Sequence, residues 1–143
     1  MRYIISCFLA VFLSNTAYSK PNEPVVILLS IDGFSFDYLQ KYKPKNIISL
    51  VNSGIKAKLR PVYPSKTFPN HLSIITGTYP AKHGIINNTF FSPTLGTNYY
   101  KGAGKNNSTW LNATPFWSVA EQQGLKTAVY FWPESEAIGH SPT

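Results

Sequence analysis

The chain has 143 residues, of which 43% are apolar and 15% aromatic, a composition that excludes disordered and low-complexity proteins. The length predicts one domain or part of one, the 13% of charged residues excludes a long coiled coil, and one cysteine excludes an internal disulfide framework or a zinc site built from several thiolates. The net charge of +7 is spread along the chain without a basic block, so it predicts a solvated basic surface or attraction of an anionic substrate. It lacks the arginine-rich pattern of a nucleic-acid interface, and no binding to nucleic-acid duplexes is expected.

The first 19 residues have the pattern of a secretory signal peptide. A positive start at Arg2 is followed by an apolar run over residues 3–13 and by small residues before Lys20. The run is shorter than the roughly 20 residues that span a bilayer, so no stable membrane span is expected after cleavage; a retained anchor is the alternative. The mature chain, residues 20–143, is expected to be exported to a periplasm or secreted.

After a proline-bounded lead-in, the sequence predicts alternating strands and helices. Residues 25–31 are apolar and β-branched without alternation, which is typical of a strand buried on both faces in a parallel sheet. Two short helices are predicted over residues 36–42 and 45–51, the second ending at Gly54. A second strand is predicted within residues 55–63.

The second half continues this alternation. Pro69 predicts the first turn of a helix that ends before Gly77. Residues 92–114 are rich in Gly, Asn, Ser, Thr and Tyr, and a surface excursion is expected there. A further helix is predicted over residues 115–124 and a third strand over residues 126–132. The order implies an α/β architecture, and because no closing element follows the third strand, we expect a domain that is incomplete at its carboxyl end.

Two side chains stand where chemistry is expected. Asp32 follows the first predicted strand, and ligands of open α/β sheets gather at the carboxyl ends of strands; alone, it is also explained as holding the turn at Gly33. Thr67 places a hydroxyl at a predicted helix N terminus, which favours phosphate, although N-capping alone would explain a threonine there. The helix dipole contributes only about 0.3–1 kcal/mol, so ionising the hydroxyl requires a metal ion.

Three motifs follow one another in order along the chain. They are S-I-D-G-F at residues 30–34, Y-P-S-K-T-F-P-N-H at residues 63–71 and G-T-Y-P-A-K-H-G-I-I at residues 77–86. With Asn88 and the Y-F-W-P run ending at Pro133, the chain resembles the type I phosphodiesterase/nucleotide pyrophosphatase family of the alkaline phosphatase superfamily over about residues 25–135. The resemblance implies an alkaline-phosphatase-like central sheet with flanking helices, of which this chain is the amino-terminal part. Glu134 departs from the pattern, because the family often has glycine there.

By this resemblance, members use two zinc ions per complete active site to hydrolyse phosphodiester or pyrophosphate bonds through a phospho-threonine intermediate. Asp32 matches a zinc ligand, Thr67 matches the nucleophile that also touches zinc, and Asn88 matches an amide that binds a phosphate oxygen. Phe68 matches an aromatic that stacks on a nucleotide base, with a core side chain as the alternative. Lys66 is placed either to collect phosphate or to face solvent. The expected partner is a phosphoester small molecule, with nucleotides among the candidates.

The family's remaining zinc ligands, aspartates and histidines, lie farther along the chain than this sequence reaches. His71 is better explained as a helical histidine bonded to its surroundings, and His83 as a packing residue of its turn. Because zinc needs three or four protein ligands, the chain alone is not expected to be active. Two alternatives stay open: a catalytically inactive exported remnant or binding domain, and a glycan-binding module suggested by the abundant Tyr and Trp.

Overall fold

The computed structural model describes residues 24–142. The predicted signal peptide at residues 1–19 lies outside the described residues and stays a prediction. The chain divides into two units, Met1–Ser30 and Ile31–Thr143, and the core and the candidate site belong to the second. Within residues 24–142, no helix combines the length and the apolar character needed to cross a membrane.

Short helices account for most of the regular structure. In chain order the elements are α1 (Tyr38–Tyr42), α2 (Lys45–Ser53), α3 (Thr67–Thr76), α4 (Pro80–His83), β1 (Phe90–Ser92), β2 (Thr97–Tyr99) and α5 (Phe116–Gln122), with two 3-10 turns, Ala103–Lys105 and Ser108–Trp110, between β2 and α5. The four predicted helices are confirmed as α1, α2, α3 and α5. Helix α4 was not predicted, although Pro80 at its start and Gly84 at its end are ordinary helix signals.

Helix α3 begins and ends where its sequence provides the signals. Pro69 lies in the first turn, where the missing N–H costs no hydrogen bond. Gly77 ends the helix with a φ of +64°, a left-handed conformation that glycine adopts without strain, and its N–H donates to the Ser73 carbonyl at 3.0 Å. These signals fix the helix boundaries and place Thr67 at the first helical position.

The predicted central sheet is not borne out within residues 24–142. Residues 25–31, 55–63 and 126–132 form no strand, and the described residues contain one sheet, the antiparallel pair β1–β2. Side chains of the first segment face solvent, as for Val26, which is 87% exposed. The physical reason is that β-branched residues favour an extended backbone, whereas a strand also needs a neighbour to supply its ladder hydrogen bonds.

An aromatic cluster around Tyr99 forms the centre of the core. Tyr99 is fully buried, stacks on Phe90 with ring centroids 5.1 Å apart, and meets Trp110 edge to face at 5.3 Å. Leu72 and Ile75 of α3 belong to the same buried cluster. Each such side chain contributes roughly 1.5–3 kcal/mol when buried, so this cluster anchors α3.

The expectation that residues 92–114 form a surface excursion is wrong. Tyr99, Ala103, Trp110 and Leu111 lie in this stretch and are buried in the core. Polar residues and glycines separate these four, so the stretch shows neither a helical period nor an alternating one. A local pattern therefore does not reveal its contribution to the core.

Glu134 is a carboxylate buried against the aromatic cluster. Its φ of +62° lies in the left-handed region that favours glycine. Tyr99 Oη donates to Glu134 Oε1 at 2.6 Å, and the Gly104 N–H donates to Oε2 at 3.1 Å. Burial raises the pKa of Glu134, and the hydrogen bonds partly offset the rise. The carboxylate thereby joins β2, the turn at Gly104 and the segment that follows Trp132.

His83 is buried between α4 and α3. The Ile85 N–H donates to Nδ1 at 3.2 Å, so we place the ring proton on Nε2, which lies 3.1 Å from Ser73 Oγ. Burial lowers the pKa of His83, and a hydrogen bond with the backbone of Pro69 partly offsets this effect. These contacts confirm the expectation that His83 packs in its turn.

Acidification below pH 6.5 is expected to lower the free energy of unfolding through His83. The unfolded chain takes up a proton at the ordinary pKa of 6.5, whereas the folded chain resists it because burial lowers the pKa. The stabilising contribution is complete above pH 6.5 and is lost as the pH falls toward the lowered pKa. Urea unfolding as a function of pH measures the effect. His83→Gln should remove it and His140→Gln should not; equal pH dependence in both variants would contradict the assignment.

Candidate active site

The structure brings Thr67 and Asp32 together. Thr67 is the first residue of α3, and Asp32 lies in the turn that follows residues 25–31. Thr67 Oγ1 donates to Asp32 Oδ2 at 3.1 Å. The carboxylate thus reaches a helix 35 positions away along the chain, beyond its own turn at Gly33. The predicted nucleophile and the predicted metal ligand are neighbours, while their roles stay predictions.

Thr67 is not the N-cap of its helix. Lys66 occupies that position, with φ −113° and ψ 158°, and no side-chain cap hydrogen bond is present there. The capping explanation of Thr67 is therefore wrong, because its backbone is already helical and its hydroxyl points to Asp32. The Lys66 side chain is exposed, as expected for either interpretation of that lysine. The positive end of the α3 dipole lies at the threonine hydroxyl.

The Asn88 side chain is held by the backbone of α3. The Phe68 N–H donates to Asn88 Oδ1 at 3.0 Å, and the Asn88 N–H donates to Asn87 Oδ1 at 2.9 Å. Since the amide oxygen accepts from Phe68, the amide has one orientation, and its NH₂ group is the end that can donate to a ligand. Asn88 therefore places N–H donors next to the residue that follows Thr67.

The Phe68 ring packs on the core. It is partly buried against the aromatic cluster and meets the Tyr99 ring edge to face with centroids 6.2 Å apart. This packing agrees with the alternative interpretation of Phe68 as a core side chain, and stacking on a nucleotide base stays a prediction. Through its N–H and its ring, Phe68 connects the Asn88 amide to the core.

His71 is hydrogen-bonded within its own helix. Its Nδ1 lies 2.8 Å from the Thr67 carbonyl oxygen, and because a carbonyl only accepts, Nδ1 carries a proton. Trp132 Nε1 donates to the His71 carbonyl at 3.2 Å, and the two rings meet edge to face at 5.2 Å. The expectation of a bonded helical histidine is confirmed, and Trp132 attaches its segment to α3.

Asn70 is a site residue that the sequence patterns alone do not reveal. Its side chain bonds to the backbone of Val62, Pro64 and Lys66, just before α3. The available signal is weak: asparagine is unfavourable inside a helix, and it is tolerated there when its side chain bonds to nearby backbone groups.

The described residues supply two oxygen donors for a divalent cation, the Asp32 carboxylate and the Thr67 hydroxyl. Carboxylate oxygen is an established zinc ligand, so this pair fits part of a zinc site. Residues 24–142 hold no group of three or more His, Cys, Asp or Glu side chains that could bind a metal ion. The pair alone is fewer than the three or four protein ligands that zinc needs.

A hydroxyl and a carboxylate in contact at a helix N terminus, with an amide donor beside them, form a site suited to phosphoryl chemistry. The model of the type I phosphodiesterase / nucleotide pyrophosphatase family matches residues 26–142. The chain belongs to this family.

Three curated relatives agree with this membership. Ectonucleotide pyrophosphatase/phosphodiesterase family member 3 from Bos taurus is 45% identical over 117 residues, which is 79% of this chain and 13% of the relative. Member 1 from Homo sapiens is 43% identical over 117 residues, which again is 79% of this chain and 13% of the relative. An uncharacterized pyrophosphatase/phosphodiesterase from Schizosaccharomyces pombe is 36% identical over 143 residues, 94% of this chain and 30% of the relative. The chain thus spans less than a third of the length of these relatives.

A solved relative shares the fold. Murine ectonucleotide pyrophosphatase/phosphodiesterase 5, as an inactive threonine-to-alanine variant in complex with AMP, matches with a TM-score of 0.70 and 27% identity. The match covers 78% of this chain and 31% of that one. A second structure of the murine protein matches with a TM-score of 0.69 and 28% identity. The described fold therefore corresponds to part of the fold of that relative.

Proposed function

We propose that the chain is part of a zinc-dependent hydrolase that cleaves phosphodiester or pyrophosphate bonds through a phospho-threonine at Thr67. The observation that carries the proposal is the 3.1 Å hydrogen bond from Thr67 Oγ1 to Asp32 Oδ2 at the start of α3. It puts a hydroxyl, a carboxylate and a helix N terminus in one place. Family membership supports this class of reaction. Because the chain spans 31% of the murine structure, the activity of the whole protein is itself part of the proposal.

In the proposed first step, Thr67 Oγ1 forms a bond to phosphorus, and the bond between phosphorus and the leaving-group oxygen breaks. The hydroxyl proton passes to solvent, while Asp32, to which the hydroxyl points, stays a carboxylate. The Asn88 NH₂ group donates to a non-bridging phosphate oxygen as negative charge grows there, a contribution of a few kcal/mol. Water then attacks phosphorus, the Thr67 ester breaks, and the phosphate product leaves with the hydroxyl restored.

Asp32 and Thr67 are the described residues that would hold zinc. Bound zinc would lower the pKa of the threonine hydroxyl and stabilise negative charge on the leaving group. The helix N terminus alone contributes only about 0.3–1 kcal/mol, which is too little for that ionisation. The family resemblance implies two zinc ions in a complete site, with ligands beyond Asp32 and Thr67.

The substrate that we propose is a nucleotide or a similar phosphoester. The matched murine structure is a complex with AMP, which supports a nucleotide. The Phe68 ring packs on Tyr99 and is only partly buried, and stacking of a base on its remaining surface is part of the proposal. The exposed Lys66 side chain would add positive charge beside the phosphate, and the net charge of +7 favours the approach of an anion.

Export of the protein is a further part of the proposal. Its support is the sequence of residues 1–19, with a positive start, an apolar run and small residues before Lys20. Protein recovered from the periplasm or the medium should begin at Lys20, which N-terminal sequencing measures. A mature protein that begins at Met1 would contradict cleavage.

Acid quenching during turnover tests the covalent mechanism. The protein is supplied with zinc and bis-p-nitrophenyl phosphate, quenched, digested and examined by mass spectrometry for a phosphoryl group on the peptide that contains Thr67. We expect the modification in the complete protein, of which this chain is proposed to be part, and none in its Thr67→Ala variant. Turnover without a phosphoryl group on that peptide would contradict the mechanism. Tight binding of AMP without any turnover would favour the alternative, a catalytically inactive binding domain.

A further inference from the structure

We infer that Asn70 is a positioning residue that holds the Thr67 hydroxyl in place, an inference that rests on the proposed function of Thr67. Asn70 bonds to residues 62–66, here called the pre-helix segment. This segment contains no helix or strand and leads directly into α3, so its last peptide bond carries Thr67. A side chain that fixes this segment therefore fixes the direction from which the hydroxyl enters the site.

The contacts of the Asn70 amide admit one orientation. The Val62 N–H donates to Oδ1 at 2.8 Å. Nδ2 lies 2.9 Å from the Lys66 carbonyl, 3.1 Å from the Pro64 carbonyl and 3.4 Å from the Val62 carbonyl. A flipped amide would set its oxygen against three carbonyl oxygens and its NH₂ group against an N–H. One amide thus satisfies donors and acceptors that the irregular backbone of the pre-helix segment leaves without ladder partners.

The bond to Lys66 links this network to the nucleophile. The Lys66 carbonyl accepts from Asn70 Nδ2 and also from the Asn70 N–H at 3.2 Å. This carbonyl belongs to the peptide bond between Lys66 and Thr67, so its orientation sets the Cα–Cβ direction of the threonine. Since Lys66 provides no side-chain cap, Asn70 ties the first turn of α3 to the chain that precedes it.

Positioning of the nucleophile has a different kinetic signature from binding of the substrate. The Asn88 amide, which is predicted to donate a hydrogen bond to phosphate, is held by Phe68 and has no bond to Asn70. Loss of the Asn70 contacts should therefore leave substrate binding largely intact. The attacking oxygen would be displaced, and a displacement of about 1 Å costs on the order of 10²-fold in rate. We expect kcat to fall and KM to stay near its parent value.

The test compares Asn70→Ala and Asn70→Asp with the matched controls Asn46→Ala and Asn46→Asp. Asn46 is exposed on α2, so each control repeats the same change of side chain away from the site. Both Asn70 variants should lower kcat for bis-p-nitrophenyl phosphate by about 10- to 100-fold. Asp keeps the acceptor for Val62 but loses both N–H donors, so a fall in both variants assigns the effect to the donors. Unchanged kcat, or a rise in KM alone, would overturn the inference.

Nuclear magnetic resonance detects changes in the local structure around Val62 and Thr67 without requiring turnover. In Asn70→Ala, the Val62 amide should exchange faster with solvent and the Cβ resonance of Thr67 should shift, whereas Asn46→Ala should change neither. If the complete protein, of which this chain is proposed to be part, hydrolyses nothing, the proposed function fails, and these two signals still decide the role of Asn70. An unmoved Thr67 resonance would then overturn the inference. If Asn70→Ala does not fold, Asn70→Asp decides by the same signals.

Discussion

In the complete protein, Thr67→Ala is expected to reduce the hydrolysis of bis-p-nitrophenyl phosphate by at least ~10⁴-fold, because the variant has no oxygen with which to form the proposed covalent intermediate. Stability should change little. The hydroxyl makes one described hydrogen bond, to the exposed Asp32, and such a bond contributes about 0.5–1.5 kcal/mol at most. Steady-state assays in excess zinc, with urea unfolding of the same preparations, measure both quantities.

Thr76→Ala is the matched control for this experiment. Thr76 lies at the other end of α3, where its hydroxyl donates to the Leu72 carbonyl at 2.6 Å, and its removal should leave kcat near the parent value. Thr67→Ser keeps a hydroxyl and should retain measurable turnover. Equal turnover by the complete protein and its Thr67→Ala variant would exclude Thr67 as the nucleophile.

Asn88→Asp is expected to lower kcat by about 10²- to 10³-fold. The change keeps an oxygen for the Phe68 N–H, which is bonded to Asn88 at 3.0 Å, so the local backbone should be preserved. It replaces the NH₂ group with a second anionic oxygen. That oxygen repels a phosphate whose negative charge increases in the transition state, and kcat therefore measures the loss directly.

Asn46→Asp changes the net charge by the same amount on the exposed face of α2 and should leave kcat unaltered. This control shows whether a fall in kcat comes from the negative charge at position 88 or from the lower net charge, which weakens the attraction of an anionic substrate. Parent-like kcat in Asn88→Asp, under conditions where Thr67→Ala is inactive, would show that the amide does not stabilise the transition state.

Signals carried by neighbouring residues predicted the helices well. Pro69 and Gly77 delimit α3 because one restricts φ at a helix start and the other tolerates φ of +64° at its end. The same boundaries put Thr67 at the helix N terminus. The family resemblance matched both Asp32 and Thr67 to the zinc site, but their hydrogen bond was not predicted, since no local rule relates residues 35 positions apart.

Nonlocal contacts account for what the sequence did not reveal. The β-branched residues 25–31 suit a strand, yet a ladder depends on a neighbouring strand that propensity cannot specify. Tyr99 and Trp110 are buried although polar residues surround them in the sequence, because their partners are Phe90 and each other. The sequence does not reveal Asn70 for the same reason, since its side-chain bonds to Val62, Pro64 and Lys66 form only when the backbone around it is folded.

Phe68 contacts both the aromatic core and the candidate site. Its ring rests on Tyr99, while its N–H orients the Asn88 amide, and the preceding residue is the threonine. Loosening the interior by heat would therefore also disorient the Asn88 NH₂ group, which is proposed to donate to a phosphate oxygen. Thermal inactivation and loss of tertiary structure should coincide, with no folded but inactive state between them.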